Sequence, residues 1–203
     1  MREIAEFREE VLRAARRIVL KEGFDALTMR KIADAIEYAP GTIYLYFESR
    51  DAIAFELCRA GFETFLAALL PATAIADPAE RFRELGRRYI RFGLENPETY
   101  RLIFMQDPKY ASAAFREDAD AADSPGKQAL ALLVAIFTEL LDAERLAIDA
   151  DPTALAEMVW AAVHGIVSLK ITYDRYPQTP PGELVQLLND AFFDGLLTRN
   201  PTS

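Results

Sequence analysis

A threonine and two tyrosines alternate along residues 40–47, a short uncharged segment, at Thr42, Tyr44 and Tyr46. Surface helices normally carry Lys, Glu or Ser at such positions, so these side chains predict a partner that takes a hydroxyl hydrogen bond and contacts a flat ring. The phosphates and thymine methyl groups of DNA meet both requirements. Gly41 would let the helix N-terminus approach a phosphate closely. The chemistry indicated is therefore non-covalent recognition of DNA.

Two short helices joined by a tight turn must position these side chains. Thr28 is a suitable N-cap for the first helix. The apolar face of that helix consists of Met29, Ile32, Ala33 and Ile36. Pro40 suits the first position of the second helix because its missing N–H would be unpaired there anyway. On the second helix, Ile43 and Phe47 lie four residues apart and are expected to face inward. The stretch Thr28–Arg50 therefore predicts a DNA-reading helix-turn-helix.

The charge of the chain is unevenly distributed. The formal net charge is −9, yet residues 1–50 carry nine basic and nine acidic side chains, so the rest of the chain accounts for the whole excess. Arg30, Lys31 and Arg50 flank the second helix in sequence and would neutralise phosphates. A first helix of about residues 2–22 adds Arg13, Arg16 and Arg17, for which a solvated helix face is the preferred interpretation.

This segment resembles the N-terminal signature of the TetR family of bacterial transcriptional regulators over roughly residues 7–60. The matching residues are Gly23, Phe24, Thr28, Ile32, Ala33, Gly41, Thr42, Tyr44, Tyr46, Phe47 and Arg50. The resemblance implies a homodimer that binds a palindromic operator and releases it when a small molecule enters the C-terminal domain. Repression is the commoner outcome in the family. Without the ordered pattern, a short aromatic helix would be interpreted as plain core.

The resemblance also implies which residues touch DNA. The predicted DNA-binding set is Thr28, Arg30, Lys31, Tyr38, Pro40, Gly41, Thr42, Tyr44, Tyr46 and Arg50. Three positions depart from the family pattern. Glu37 stands where Gly is common, which costs about 1 kcal/mol if the residue is left-handed. Ala39 replaces the usual Ser cap at a cost of roughly 1 kcal/mol, and Arg50 replaces the commoner Lys.

Beyond this region the pattern predicts further helices and no strands. Ser49 caps a long fourth helix that ends near Pro71. Four capping residues are each followed by a proline suited to a first helical position: Asp77-Pro78, Asn96-Pro97, Ser124-Pro125 and Asp151-Pro152. Helices are expected over residues 78–94, 97–107, 125–146, 152–174 and 182–198, with a mobile loop or frayed helix over 108–123.

The predicted fold class is all-α with about nine helices. An N-terminal three-helix helix-turn-helix domain is expected over residues 1–50 and a helical ligand-binding and dimerisation domain over residues 51–203. The last two helices have more apolar surface than one chain needs, which predicts a four-helix bundle across a two-fold axis. The predicted dimer residues are Val163, Val167, Leu184, Leu188, Phe192 and Leu196. A purely intramolecular core is the alternative.

Trp160, His164 and Gly165 form one further signal, with Trp160 and His164 on one face of their helix. Their spacing resembles a C-terminal domain of a TetR subgroup named for its Trp, His and Gly. An apolar effector pocket is predicted, lined by Tyr89, Phe92, Tyr100, Phe104, Met105, Phe137, Trp160 and His164. The alternative is that these side chains are only core, with His164 hydrogen-bonded inside it.

Composition excludes several other classes. The 203 residues are 51% hydrophobic, with no apolar run near the roughly 20 residues of a membrane span and a charged N-terminus, so a soluble cytoplasmic protein is expected. Cys58 and His164 are single representatives of their types, which predicts no disulfide, metal site or cofactor. An enzyme with His164 as acid or base lacks a paired nucleophile or a phosphate loop. A protein-binding helical adaptor would show no salt-dependent association with DNA.

Overall fold

The structure is a computed structural model that describes residues 2–111, 124–173, 175–176 and 178–196. The side chains of residues 2, 3, 111 and 192–196 lie outside that description. Within the described ranges the chain is helical and contains no strand, which confirms the predicted all-α class. The α-helices are α1 (Arg2–Glu22), α2 (Met29–Ala35), α3 (Pro40–Tyr44), α4 (Arg50–Leu69), α5 (Pro78–Glu95), α6 (Pro97–Phe104), α7 (Pro108–Ala111), α8 (Pro125–Asp142), α9 (Pro152–Thr172) and α10 (Pro181–Leu196). Two short 3₁₀ helices, Phe24–Ala26 and Leu70–Ala74, connect α1 to α2 and follow α4.

Most helix boundaries follow the capping residues seen in the sequence. Thr28, Asp77 and Asp151 each accept a backbone hydrogen bond three residues later, as N-caps do. The described residues contain ten α-helices rather than about nine, because residues 108–111 of the expected loop form α7. The remainder of that expected loop, residues 112–123, lies outside the described part. α8 ends at Asp142 because Glu144 turns left-handed, with φ 55°.

The helices group into two compact units, defined here by their residues. The N-terminal unit comprises Met1–Glu63 and Glu98–Ser124, and the C-terminal unit comprises Thr64–Pro97 and Pro125–Ser203. The helix-turn-helix therefore shares its unit with α6 and α7. This grouping reflects spatial contacts, and the domain boundary that the sequence places after residue 50 stays a prediction.

The core of the N-terminal unit lies between α1 and the helix-turn-helix. Val11, Ala14, Ala15 and Val19 of α1 are fully buried, and α1 contacts α2, which contacts α3. α4 packs closely on α6 at Gly61, where an added Cβ would collide with the side chain of Ile103. The small side chains of α1 and the glycine of α4 allow helices to approach closely and hold the turn region in place.

The C-terminal unit is a bundle of four helices. α5 contacts α8, α9 and α10, while α9 contacts α8 and α10. Two ion pairs add to its apolar core: Arg81 meets Glu139 at 2.6 Å and Arg145 meets Asp77 at 2.8 Å. The pKa of the Asp77 carboxyl is lowered, chiefly by the hydrogen bond from Arg145. These contacts tie the start of α5 to α8 and to the turn that follows α8.

Among the described helices, α9 is the one that is long and apolar enough to cross a membrane. This finding corrects the sequence-based expectation that no apolar segment approaches that length. Core helices of bundles have the same properties, and α9 also carries Glu157 and Lys170. Its buried residues are Leu155, Ala156, Val159, Val163 and Val167. Because only 28% of its most apolar stretch is buried, other apolar side chains of α9 remain at the surface.

The turn between α2 and α3 is strained at Glu37, whose φ is 60°. A left-handed residue with a Cβ is disfavoured by about 1 to 2 kcal/mol, part of which glycine loses again through its freedom in the unfolded chain. We expect Glu37→Gly to stabilise the N-terminal unit by roughly 0.5 to 1 kcal/mol and to raise its Tm by about 1 to 4 °C. Thermal unfolding followed by circular dichroism measures this shift. Glu37→Ala removes the carboxylate but keeps the strain, so an equal gain in that variant would contradict the backbone explanation.

Candidate nucleic-acid interface

α3 and the three residues after it divide their side chains between the core and the surface. Ile43 is fully buried and Phe47 is 3% exposed, as the sequence predicts. On the opposite side, Tyr44 is 57% exposed and Leu45 is 78% exposed. Gly41 is exposed and has open space around it, while Thr42 is half-buried. The outward face of α3 is therefore uncharged and consists of small, apolar and aromatic groups.

Two of the predicted DNA-binding tyrosines are braced by α1. The Tyr46 ring lies 4.7 Å from the Phe7 ring, and the Tyr38 ring meets the same phenylalanine edge-on at 5.0 Å. Tyr46 is half-buried by this contact, whereas Tyr38 keeps 46% of its surface exposed. Both rings thus support the shape of the helix-turn-helix, and Tyr44 is the tyrosine with the freest access to a partner.

Arg8 of α1 contacts Tyr46 and Phe47, two residues that follow α3. Its Nη1 donates to the Tyr46 carbonyl oxygen at 2.6 Å, and its Nη2 pairs with Glu56 of α4 at 2.6 Å. Its guanidinium also lies 4.2 Å from the centre of the Phe47 ring. One side chain therefore connects α1, the residues after α3, and α4.

The basic residues of α2 differ in how free they are. Thr28 uses its hydroxyl as the cap, accepting from the Lys31 N–H at 3.1 Å. The Lys31 ammonium pairs with Glu22, and that hydrogen bond lowers the pKa of the Glu22 carboxyl. Arg30 is 87% exposed, and its ion pair with Asp34 is long, at 4.0 Å, and therefore weak. Its charge is thus available to a phosphate.

Arg50 begins α4 within a small polar cluster. Its Nη1 donates to the Leu27 carbonyl oxygen at 3.3 Å, and its Nε lies 3.3 Å from Asp51 Oδ1. Asp51 also accepts from Lys109 Nζ and from the Tyr110 hydroxyl, each at 2.7 Å. The hydrogen bond from Lys109 is the main reason that the pKa of the Asp51 carboxyl is lowered. Arg50 keeps 41% of its side chain exposed and can reach outward from this cluster.

The α1 residues Arg13, Arg16 and Arg17 also differ in whether they contact other side chains or solvent. Arg16 Nη2 donates to the Thr99 hydroxyl of α6 at 2.6 Å, so this side chain connects two helices of the N-terminal unit. Arg13 is exposed and pairs with Glu9 at 3.5 Å, and Arg17 is exposed. Arg13 and Arg17 lie on a solvated helix face, as the sequence favours, whereas Arg16 has a structural contact.

The residues predicted to line an effector pocket fall into both units. In the C-terminal unit, the Trp160 indole N–H donates to the Tyr89 hydroxyl at 3.2 Å. The Phe65 ring lies 5.3 Å from Tyr89 and 5.1 Å from Phe92, so it joins these side chains into one aromatic cluster. Phe137 is buried and pairs with Phe82. The structure thus places Tyr89 and Phe92 against Phe65, with Trp160 hydrogen-bonded to Tyr89.

The other predicted pocket residues belong to the N-terminal unit. The Tyr100 and Phe104 rings are 4.8 Å apart, and Phe104 meets Phe62 edge-on at 5.3 Å. Tyr100 is fully buried, while Phe104 and Met105 are half-buried. His164 is half-buried in the C-terminal unit, and burial lowers the pKa of its imidazole, so the ring is neutral at pH 7. The effector role of the whole set stays a prediction.

The predicted dimer residues also differ in exposure. Val163 is 5% exposed and Val167 is fully buried, so both face the core of their own chain. Leu184 and Leu188 are half-buried, and the side chains of Phe192 and Leu196 lie outside the described part. Several other side chains on or just beyond α9 and α10 are exposed instead: Met158, Leu169, Tyr173, Tyr176 and Leu187.

Sequence reasoning missed four residues that shape these sites. Leu45 lies four residues after Gly41, on the face opposite Ile43, and helical periodicity alone would have found it. Phe7 and Arg8 were hidden within the ordinary amphipathic pattern of α1. In the sequence, Phe65 is one of several apolar residues of the long fourth helix. The contacts of these last three residues join helices that are distant in sequence, so no local pattern marks them.

Two family models match most of the chain. Residues 11–57 match "Bacterial regulatory proteins, tetR family", and residues 82–192, more than half of the chain, match "Tetracyclin repressor-like, C-terminal domain". The N-terminal match contains α2, α3 and the start of α4. The C-terminal match does not confirm the Trp-His-Gly type of domain suggested by the sequence.

Individual proteins give the same picture. The chain is 32% identical over 90 residues to an uncharacterized HTH-type transcriptional regulator of Haemophilus influenzae, covering 44% of this chain and 48% of that protein. It is 32% identical over 79 residues to the HTH-type transcriptional regulator TcmR of Streptomyces glaucescens, covering 39% and 35%. The alignments thus span about half or less of these curated relatives. A solved structure of a protein with unknown function from Rhodococcus sp. RHA1 is 25% identical, with TM-score 0.75 over 94% of this chain and 95% of that one.

Proposed function

Because the chain belongs to the tetR family of bacterial regulatory proteins and is therefore a DNA-binding transcriptional regulator, we propose that it is a cytoplasmic repressor that binds a palindromic operator as a homodimer and is released by a small-molecule effector. The observation that carries the DNA-binding part is the outward face of α3, where Tyr44 and Leu45 are exposed beside an open Gly41. Arg30 and Arg50 supply charge on either side of that face in sequence.

The homodimer is proposed to form through α9 and α10. Met158, Ala161, Gly165 and Leu169 recur at helical spacing on α9 and leave a surface of small and apolar groups. Leu187 of α10 is 57% exposed. Since Val163 and Val167 are already buried within one chain, this exposed stripe replaces them as the proposed contact surface. A two-fold dimer would place two copies of α3 about 34 to 36 Å apart, or at a longer in-phase spacing.

The effector is proposed to be a mostly apolar molecule. The aromatic cluster of Tyr89, Phe92 and Trp160 supplies apolar contact area, and its indole N–H and hydroxyl are bonded to each other. His164 lies four residues after Trp160, and burial lowers the pKa of its imidazole, which favours the uncharged ring. These uncharged groups favour a mostly apolar ligand over a strongly charged one.

Release from DNA is proposed to follow a shift between two spacings of the reading helices. An effector that binds one spacing more tightly shifts the population by its differential affinity for the two states. If every effector that binds the purified protein leaves operator affinity unchanged, ligand gating is wrong while DNA binding still stands.

The direct test is fluorescence anisotropy of the protein titrated onto the duplex upstream of its own coding region, with scrambled duplex as the control. Affinity for the upstream duplex is expected to be tight and to fall steeply with salt. If no duplex is preferred, selection from random duplexes identifies an operator elsewhere. A selection that recovers no sequence, together with salt-independent behaviour, would contradict operator binding and favour a protein-binding adaptor.

Arg50→Ala is expected to weaken binding to operator and random DNA alike, because its guanidinium would contact a phosphate rather than a base. The slope of log affinity against log salt should flatten by about one unit. Arg87→Ala makes the same charge change at an exposed position of the C-terminal unit and should leave the slope unchanged. Equal slopes for Arg50→Ala and wild type would mean that Arg50 serves only its contacts with Leu27 and Asp51.

A further inference from the structure

Leu45 is the most exposed large hydrophobic residue of the described chain. Its side chain is 78% exposed, against 57% for Tyr44 and Leu187 and 59% for Tyr176. Leaving this much apolar surface in water forgoes the stabilisation that burial brings. An isolated exposed leucine needs no explanation, but this one lies in the middle of the proposed reading surface.

The backbone holds Leu45 in a helical conformation. Its φ is −71° and its ψ is −19°, and its N–H donates to the carbonyl oxygens of Thr42 and Ile43. Successive residues are therefore about 100° apart around the axis, which places Leu45 and Gly41 on one face. Ile43 and Phe47 occupy the opposite, buried face. Leu45 thus lies near the centre of the outward face and not at its edge.

Gly41 leaves the space next to Leu45 empty. An added Cβ at Gly41 would have nothing within 4 Å. Helical side chains tilt towards the N-terminus, so the Leu45 side chain lies over the turn that contains Gly41. A surface approaching this face would meet the backbone of Gly41 and the isobutyl group of Leu45 together. Thr42 and Tyr44 would flank them with hydroxyl groups.

The surroundings select the kind of group that Leu45 can contact. Residues 38–47 carry no charged side chain, so the partner of Leu45 itself is not a phosphate. In the major groove, the thymine 5-methyl is the apolar group that a base pair presents. A protein partner with a broad apolar patch fits less well, because Leu45 is flanked by polar hydroxyl groups and an open glycine.

We propose that Leu45 is a specificity-determining residue that packs on the 5-methyl group of a thymine in the operator. This inference rests on the proposed operator binding and adds the base and the atom that are read. It predicts that the operator contains a thymine, in each half-site, whose methyl group contributes to affinity only when Leu45 is present.

The experiment replaces each operator thymine in turn by deoxyuridine, which pairs identically but lacks the methyl group. Anisotropy titrations compare wild type with Leu45→Ala. For wild type, one position in each half-site should lose about fourfold in affinity, the value expected for one buried methyl group. For Leu45→Ala, the unmodified operator should bind more weakly and that same position should lose no further affinity.

Two controls separate this effect from damage to the fold. Leu45 is exposed, so Leu45→Ala should unfold at the same temperature as wild type. Leu70→Ala removes the same kind of side chain from a position of the C-terminal unit that is 46% exposed and lies outside the proposed dimer surface, so it should keep the wild-type pattern of deoxyuridine sensitivity. Leu45→Met keeps an apolar group of similar volume and should retain the methyl sensitivity in part.

The outcomes distinguish this inference from the function beneath it. If wild type prefers no operator, the proposed function fails and the Leu45 inference falls with it. If wild type binds an operator but no deoxyuridine position weakens binding, or if Leu45→Ala keeps the same sensitive position, the Leu45 inference is overturned while operator binding stands. Loss of sensitivity in Leu45→Ala alone supports the contact.

Discussion

Replacing Tyr110 with Ala should destabilise the N-terminal unit by about 3 to 5 kcal/mol, the range found when a large buried aromatic side chain is removed. Tyr110 is only 2% exposed although it lies in the short helix α7. Its ring is 4.5 Å from Phe24 and 5.2 Å from Phe55. The cavity left by Ala would separate α7 from both the segment after α1 and from α4.

The hydroxyl of Tyr110 contributes separately from the ring. It donates to Asp51 Oδ1 at 2.7 Å, and Lys109 donates to the other carboxylate oxygen at the same distance. Tyr110→Phe keeps the ring and removes only this hydrogen bond, so it should cost about 1 to 2 kcal/mol. The difference between the two variants measures the packing contribution of the ring.

Thermal and denaturant unfolding of the purified variants measures both effects. Tyr176→Ala removes an equally large side chain that is 59% exposed and should change stability by less than about 0.5 kcal/mol. A loss below about 1 kcal/mol for Tyr110→Ala would mean that α7 does not stabilise the helix-turn-helix unit. In that case α7 would be only an appended turn.

The Asp51 cluster also predicts a pH dependence. The pKa of the Asp51 carboxyl is lowered in the folded state, first by the hydrogen bond from Lys109 and then by that from Tyr110. A lowered folded-state pKa contributes stability above the ordinary Asp pKa of about 3.9, and this contribution is lost as the pH falls through the lower folded value. The stability difference between wild type and Asp51→Asn should therefore be constant near neutral pH and shrink in acid. A difference that stays constant below the ordinary Asp pKa would contradict the ion-pair explanation.

Arg8→Ala is expected to have the second largest effect, a loss of about 2 to 3 kcal/mol in stability together with weaker operator binding. The change removes the hydrogen bond to the Tyr46 carbonyl and the contact with the Phe47 ring, and it leaves the half-buried Glu56 without its partner. The orientation of the segment after α3 depends on these contacts. Operator affinity should therefore fall even though Arg8 is not among the residues predicted to contact DNA.

Matched variants on the same helix isolate this role. Arg13→Ala removes an equal charge from an exposed position and should alter stability by less than about 0.5 kcal/mol. Arg8→Lys keeps the charge but presents a point donor in place of the planar fork, so it should fall between wild type and Ala. If Arg8→Ala and Arg13→Ala weaken operator binding equally at every salt concentration, Arg8 acts through charge alone and the bracing explanation fails.

Local chemistry explains why so much of the fold was predictable from the sequence. Thr28, Asp77 and Asp151 are caps whose side chains bond to backbone N–H groups three residues away, and a proline pre-sets the first turn after the last two. The left-handed Glu37 was predictable because it occupies a turn position where the family usually places glycine. The reading helix, the family and the all-α class follow from such short-range signals.

The same chemistry could not predict the partners of the candidate site residues. Tyr46 is predicted to contact DNA, but its ring also packs against Phe7, thirty-nine residues earlier in the chain. Val163 and Val167 were predicted at a dimer interface but are buried within one chain. A helical pattern identifies an apolar face, but it does not identify which surface covers that face.

The sequence by itself determined where most of the helices begin, which residues in and just after α3 face the core, and that this segment belongs to a DNA-reading motif. Each of these depends on interactions within a few residues, where backbone geometry leaves few alternatives. Only the tertiary structure decided that Arg8 and Tyr110 brace the motif and that the Tyr46 ring packs against Phe7. Those outcomes depend on which distant side chains pack together, because burial is settled by the whole set of helices and not by any one of them.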